Sequence, residues 1–144
     1  MEKWKLIEEL PSYQISSFGR IKHLDTYRNH SNQYGKCGTR LVKGKVLKTQ
    51  YSNSGYEFIT LRLNGKKKMY PIHKLVAKYF VPNPHNYLYI NHKDGNRLNN
   101  NKDNLEWCTQ SHNIKESYRL GLQKPYTPPM MPNYIPWNKG RKLK

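Results

Sequence analysis

A chain of 144 residues holds one domain or two very small ones around a shared core, and 26 Lys plus Arg against 9 Asp plus Glu leave a formal net charge of +17. Such an excess implies a polyanionic partner, because each cation set at a phosphate releases condensed counterions; nucleic acid is the first candidate and an anionic membrane surface the second. The membrane is set aside: no apolar run nears the roughly 20 residues of a spanning helix, the opening MEKWKLIEEL lacks the apolar stretch of a signal peptide, and the positive residues run from Lys3 to Lys144 instead of gathering on one amphipathic helix.

In chain order, Trp4 and Ile7 precede Tyr13–Lys22, where Tyr13 and Ile15 alternate with polar neighbours, Ser17-Phe18-Gly19 signals a turn and Arg20 to Leu24 can return as a strand. A hairpin is expected there. Asp25 to Thr39 is polar, contains Gly35 and Gly38, and is expected to be a loop. Lys43 to Thr49 is a candidate short strand. Gly55 to Leu63 is β-rich, Asn64-Gly65 is a strong hairpin-turn signal, and Lys67 to Tyr70 returns. Lys66, Lys67 and Lys68 lie at or beyond that turn. A basic ribbon tip suits a DNA groove; lysines at a hairpin end also discourage edge pairing, and both readings stand.

Ile72, Leu75, Val76, Tyr79 and Phe80 follow helical spacing between Pro71 and Pro82, so Ile72 to Phe80 is predicted helical, with a turn at Asn83 to Asn86. Leu88 to Asn91 and Leu105 to Cys108 are predicted strands, separated by a polar loop of 13 residues from His92 to Asn104. A loop of that length without regular structure is usually functional. Thr109 or Ser111 can cap a helix through Ile114, Tyr118 and Leu120, with Gly121 as its left-handed end. From Pro125 onward, five prolines, a Met pair and the basic end Lys139 to Lys144 read as an extended arm.

The expected fold is therefore α+β: small antiparallel hairpins and a short helix, then a C-terminal ββα unit, then a basic arm. The divisions are 1–70 as a β-rich DNA-binding region, 71–122 as the ββα domain with its lead-in helix, and 123–144 as the arm. Cys37 and Cys108 form no C-x-x-C pair, which excludes a four-cysteine zinc site and suits reduced thiols in a cytoplasmic protein. Twelve Tyr, three Trp and three Phe can supply an aromatic core despite a hydrophobic content of 35%.

Phosphodiester hydrolysis needs an activated water, neutralised charge at the phosphate and help for the departing 3′ oxygen. A near-neutral histidine suits the first task, and a divalent cation held by oxygen ligands suits the other two. His92 at the end of one strand, Asn104 before the next and Asn113 in the first turn of the helix can converge in a ββα unit.

Asn91-His-Lys-Asp-Gly-Asn96, Asn99-Asn100, Asn104-Leu-Glu-Trp-Cys-Thr109 and Asn113 resemble the HNH nuclease domain of phage and intron-encoded homing endonucleases. The helix at His73 to Phe80 resembles the lead-in to that domain. Trp4 with Tyr13 to Lys22 is similar to a modular motif found upstream of such nucleases; together the likeness covers about residues 1–122.

The resemblance implies that His92 takes a proton from the attacking water and that Asn104 accepts a hydrogen bond from the other ring nitrogen of His92. It implies Asn91 and Asn113 as protein ligands to one Mg²⁺ or Mn²⁺, with 5′-phosphate and 3′-hydroxyl products. Several family members carry Asp where this chain has Asn91, and many carry His where it has Asn113. Both changes keep oxygen ligands, which favours Mg²⁺ or Mn²⁺ over zinc, and no structural zinc or small-molecule cofactor is expected.

Double-stranded DNA is the expected partner, with contacts from Arg20, Lys66, Lys67, Lys68, His73, Lys115, Lys139, Arg141 and Lys142. His73 is also a candidate for packing, and Lys115 sits near a helix N-terminus, where phosphate is welcome. Asn99, Asn100 and Asn101 read as turn chemistry, as does Asp94-Gly95. Trp107 reads as core. One His–Asn–Asn site cuts one strand, so nicking by a monomer is favoured. The competing reading is a DNA-binding protein whose nuclease site has decayed, with Asn91 as its mark; an RNA-binding protein rich in stacking tyrosines is a more distant option.

Overall fold

The computed structural model describes residues 1–123 apart from 32, 33, 36 and 64. Asn64 of the expected turn, and Lys139, Arg141 and Lys142 of the expected arm, lie outside the described residues.

The chain opens with β1 (Trp4–Ile7), which pairs antiparallel with β2 (Leu10–Ser16); β2 then pairs with β3 (Ile21–His23). Ile15 and Ile21 face each other in register and are wholly buried. Between them the Ser16 hydroxyl accepts from Phe18 N (3.2 Å) and Arg20 N (2.9 Å), while Gly19 takes the positive φ (+85°) that closes the turn. The hairpin expected from Tyr13 to Lys22 is present.

The loop expected over Asp25 to Thr39 is not. The chain runs out through β4 (Thr26–Ser31) and back through β5 (Cys37–Val42), in register from Thr26↔Val42 to Ser31↔Cys37. Almost every side chain on this ribbon is exposed. A strand that buries no face has no need of alternating hydrophobicity, so its sequence reads as loop. The ribbon returns to a two-residue strand, β6 (Lys45–Val46), which pairs with β3 and completes a sheet of order β1-β2-β3-β6. Gly44 is required there, because a Cβ would sit 2.3 Å from the His23 carbonyl oxygen.

A second sheet holds β7 (Gln50–Tyr51), β8 (Glu57–Leu63) and β9 (Lys66–Pro71) in sequence order. Leu63 stands opposite Lys66 at its hairpin end, with Gly65 at φ +78°. Pro71 ends β9 and caps α1 (Ile72–Phe80), which has the predicted limits. At nine residues α1 would be marginal alone, so packing holds it. Its Ile72, Leu75 and Val76 join Ile7, Ile15 and Ile21 from the first sheet, Ile59 and Leu61 from β8, and Leu105 from further along in one hydrophobic cluster. Burying each aliphatic side chain of this size stabilises by about 1.5–3 kcal/mol. The cluster joins residues on both sides of position 70.

After the turn at Asn83 to Asn86 come β10 (Tyr89–His92), a single 3₁₀ turn at Lys102–Asn104, β11 (Leu105–Cys108) and α2 (Gln110–Arg119). β10 and β11 pair antiparallel, with Asn91 opposite Glu106 and His92 opposite Leu105. Thr109 caps α2 by accepting from His112 N at 3.2 Å, and Gly121 has φ +67° beyond its end. The fold is α+β, sheet-rich with two α-helices among the described residues. No described helix is long and apolar enough to cross a membrane.

Candidate functional site

Asn91 and His92 end β10, and Asn113 lies in the first turn of α2, its N–H bonded to the Thr109 carbonyl at 3.0 Å. All three line one cleft of about 190 Å³, together with Tyr56, Arg97 and Ile114. Wider grooves lie elsewhere, such as one of about 570 Å³ between Lys5 and Trp107, but that one brings no histidine beside the paired amides.

His92 is 6% exposed. Its Nε2 lies 3.3 Å from Asn100 Oδ1. Burial pushes its pKa below the ordinary histidine value; the Asn100 bond and the Asp94 charge act upward, and Arg97 acts downward. The His73 ring packs against it with centroids 5.5 Å apart, and the Tyr56 ring lies 4.9 Å from His73 on its own account. Burial, then the neighbouring His92 and Lys74, lower the His73 pKa to about 4, and its Nδ1 is buried without a hydrogen-bond partner. His73 is therefore uncharged at neutral pH and adds no positive charge beside His92.

The ring of His92 is held by Asn100, not by Asn104 as the resemblance implied. Asn104 Oδ1 accepts from Asp94 N (3.1 Å), and its Nδ2 donates to Asp94 Oδ1 (2.9 Å) and the Asn99 carbonyl (2.9 Å). Both protons of that amide are thus engaged in clamping the loop. The Asp94 carboxylate also accepts from Asn96 N (2.8 Å) and Asn99 Nδ2 (2.7 Å). Burial acts to raise the Asp94 pKa, but these hydrogen bonds prevail and lower it. Gly95, at φ +72°, turns the loop against Leu120 and Leu122 beyond α2. Asn99 and Asn101 do the expected turn work, since Asn101 Oδ1 accepts from Asp103 N at 3.1 Å. Asn100 differs from both: it is 3% exposed and points inward.

The amide of Asn91 spends its nitrogen on Glu106 Oε1 across the strand pair, at 2.8 Å. Its Oδ1 is then the end left for a cation, and Asn113, a second amide, lines the same cleft. These are hard, neutral donors of the kind Mg²⁺ and Mn²⁺ accept, so the residues present fit such an ion. Among the described residues no three His, Cys, Asp or Glu side chains cluster as metal donors. The carboxylate bonded to Asn91, Glu106, also stands 3.2 Å from His112 Nε2.

The expected DNA contacts are dispersed. Lys66, Lys67 and Lys68 are exposed at the start of β9, and Lys115 is exposed on α2. Arg20 is bound to Glu2 through both ends of its guanidinium and lies 5.8 Å from the Trp4 ring centroid. His73 is buried beside His92.

Arg97 was not anticipated: it lines the cleft, donates from Nη1 to the Ser54 carbonyl (2.7 Å) and lies over the Tyr56 ring. Asn100, Glu57 and Glu106 were missed as well. Nothing in a run of three asparagines marks the middle one as buried.

Strand, polar loop, strand and helix, with a buried histidine between two amide donors, define an HNH endonuclease domain, and the HNH endonuclease family model matches residues 70–115 while the NUMOD4 motif matches residues 2–62. The chain thus carries an HNH endonuclease domain behind a NUMOD4 motif, and the relatives it resembles are HNH endonucleases of the homing type. It is 41% identical over 120 residues to the DNA endonuclease I-HmuI of Bacillus phage SP01, covering 83% of this chain and 59% of that protein. It is 37% identical over 122 residues to the uncharacterized HNH endonuclease L245 of Acanthamoeba polyphaga mimivirus, covering 85% of this chain and 32% of the relative. Among solved structures it is similar to I-HmuI, described as showing DNA binding and cleavage by that homing endonuclease, with a TM-score of 0.63 and 32% identity over 85% of this chain and 62% of that one. This chain thus spans less than two thirds of each of these proteins.

Proposed function

We propose that the chain is a metal-dependent DNA endonuclease that hydrolyses one phosphodiester strand at a time, acting as a monomer in the host-cell cytoplasm. The observation that carries this reading is the convergence of His92, Asn91 and Asn113 on one cleft, with the Nε2 side of His92 held by Asn100. His92 Nδ1 takes the proton from the attacking water as the water oxygen bonds to phosphorus and the 3′ oxygen departs. Asn91 Oδ1 and Asn113 Oδ1 would hold one Mg²⁺ or Mn²⁺, which neutralises charge at the phosphate and on the departing oxygen. Their neutrality leaves the scissile phosphate to supply most of the anionic charge, so metal affinity without DNA is weak.

In this reading residues 1–70 and the 123–144 arm bind double-stranded DNA and residues 71–122 cut it. Lys66, Lys67, Lys68 and Lys115 contact phosphates directly. Asn104 acts by clamping the loop that carries the base.

The all-amide donor set also favours a second reading, a DNA-binding protein whose cutting has decayed. Supercoiled plasmid incubated with Mg²⁺ or Mn²⁺ separates the two. The nuclease converts it to nicked circles, and His92→Ala lowers that rate at least about 100-fold. Cleavage by the variant at the parental rate would remove His92 from the chemistry. Salt-sensitive binding without cleavage in either metal would support the second reading.

A further inference from the structure

The group holding His92 is an amide whose two ends have opposite hydrogen-bonding sense. Rotated by half a turn, Asn100 would present Nδ2 to the ring and reverse the tautomer it selects. Its environment fixes which end faces His92. Asn100 Nδ2 lies 2.7 Å from Glu57 Oε2, and a carboxylate oxygen accepts but does not donate. The nitrogen end must therefore face Glu57, which leaves Oδ1 for His92. An acceptor at Nε2 requires the ring proton on Nε2, and a neutral imidazole with that proton keeps its lone pair on Nδ1. Glu57 is itself oriented, since Thr49 Oγ1 donates to its other oxygen.

Both Thr49 and Glu57 precede the stretch matched by the HNH family, residues 70–115. The backbone around Asn100 is also gripped by residues of the N-terminal region. Lys102 N donates to the Ser17 carbonyl at 2.9 Å, and a Cβ on Gly19 would come within 2.9 Å of Asn100 Cβ.

We propose that Glu57 is a positioning residue which, through Asn100, sets the Nε2–H tautomer of His92, so that the N-terminal region completes the nuclease site. This rests on the endonuclease reading only for its consequence in catalysis; the tautomer itself is a property of the free chain.

The test uses the full-length chain labelled with ¹⁵N, free of metal and DNA, at a pH where His92 is neutral. The parent should show Nε2 as the protonated, pyrrole-type nitrogen and Nδ1 as the pyridine-type nitrogen. Glu57→Gln keeps the shape but can offer either a donor or an acceptor to Asn100. It should give a mixed tautomer signature and lower kcat about tenfold at unchanged KM for DNA, in the range seen when a residue supporting an active-site ligand is lost. Asn100→Asp should be worse, because two carboxylates then face each other. The double variant Glu57→Gln, Asn100→Asp restores a single direction: the introduced amide donates to the introduced carboxylate, which accepts from His92 Nε2–H. Recovery of the single tautomer in the double variant is the result a merely structural role would not produce.

A folded Glu57→Gln chain that keeps one tautomer and the parental kcat would overturn the proposal, as would a folded double variant that stays mixed. If the parent cuts no DNA yet its tautomer responds to these changes, the relay stands and the endonuclease reading falls. If the parent cuts DNA and the tautomer ignores Glu57, the reverse holds.

Discussion

The β4–β5 ribbon and the loop from His92 to Asn104 are opposites. The ribbon is regular, with an unbroken register from Thr26↔Val42 to Ser31↔Cys37, yet almost all its side chains are in water. The loop is irregular between its strands, yet the side chains of Asp94, Asn96, Asn99, Asn100, Asn101 and Asn104 each hold part of it. Ladder bonds that water can replace are worth about 1 kcal/mol each or less and open readily. The contacts of Asn100 are withdrawn from water and costly to break, because the groups they satisfy have no ready substitute partner. Those of Asp94 and Asn96 are exposed and hold the loop by their number. In this molecule fixed geometry comes from side-chain amides on an irregular segment, and the regular segment is the one free to vary.

Acidification is the strongest way to sharpen that contrast. His73 has a folded pKa of about 4 against an ordinary value of 6.5. Because the folded value is depressed, the unfolded chain binds the proton first as pH falls. Stability is complete above about pH 6.5 and declines toward about pH 4, by about 3 kcal/mol in all, and His73 adds no further loss below that. Urea unfolding at pH 7 and pH 4.5 should show the decline, and His73→Phe, which cannot take up a proton, should remove most of it. An equal acid loss in His73→Phe would move the effect to other groups, first of all to His92, whose pKa burial also lowers.

Asn104→Ala comes next. It strips partners from Asp94 N, the Asp94 carboxylate and the Asn99 carbonyl while leaving both strands intact. We expect a loss of about 2 kcal/mol, with amide exchange quickened over residues 93–104 before it quickens in α1. A midpoint shift worth less than about 0.5 kcal/mol, with exchange unchanged, would place Asn104 among ordinary surface residues.

What the amino-acid sequence disclosed divides along the same line. The limits of α1 and β11 were legible because each buries a face and so carries a pattern: Ile72, Leu75 and Val76 at helical spacing, and Leu105 with Cys108 between turn signals. His92, Asn91 and Asn113 were found through their family resemblance and come together on one cleft. The ribbon was read as loop because it buries no face. Asn100 was read as turn because burial depends on where the Ser17-Phe18-Gly19 turn comes to rest, its Gly19 lying 81 residues earlier in the chain. Glu57 had no local mark at all; its part depends on a contact 43 residues away. Patterns of period disclose elements, whereas polar contacts between distant segments leave no periodic trace.

The smallest expected effect is the most direct attack on the comparison. Residues 27–41 can be replaced by an Asn-Gly turn joining Thr26 to Val42, which already face each other across the ladder. The ribbon's root does not depend on its tip: Gly44 N is held by Asp25 Oδ1 at 2.7 Å, and Gly44 packs against the His23 carbonyl. None of the described residues of the deleted stretch belongs to the hydrophobic cluster. The shortened chain should therefore keep its urea midpoint to within about 0.5 kcal/mol, since exposed sites away from such anchors rarely matter more. It should also nick plasmid at the parental rate under saturating DNA, because no described residue of the ribbon lines the His92 cleft. A loss above about 2 kcal/mol would mean that the ribbon's ladder bears on the first sheet in a way its exposure conceals. A weaker affinity at unchanged stability would assign the ribbon to DNA contact and leave its independence from the core intact.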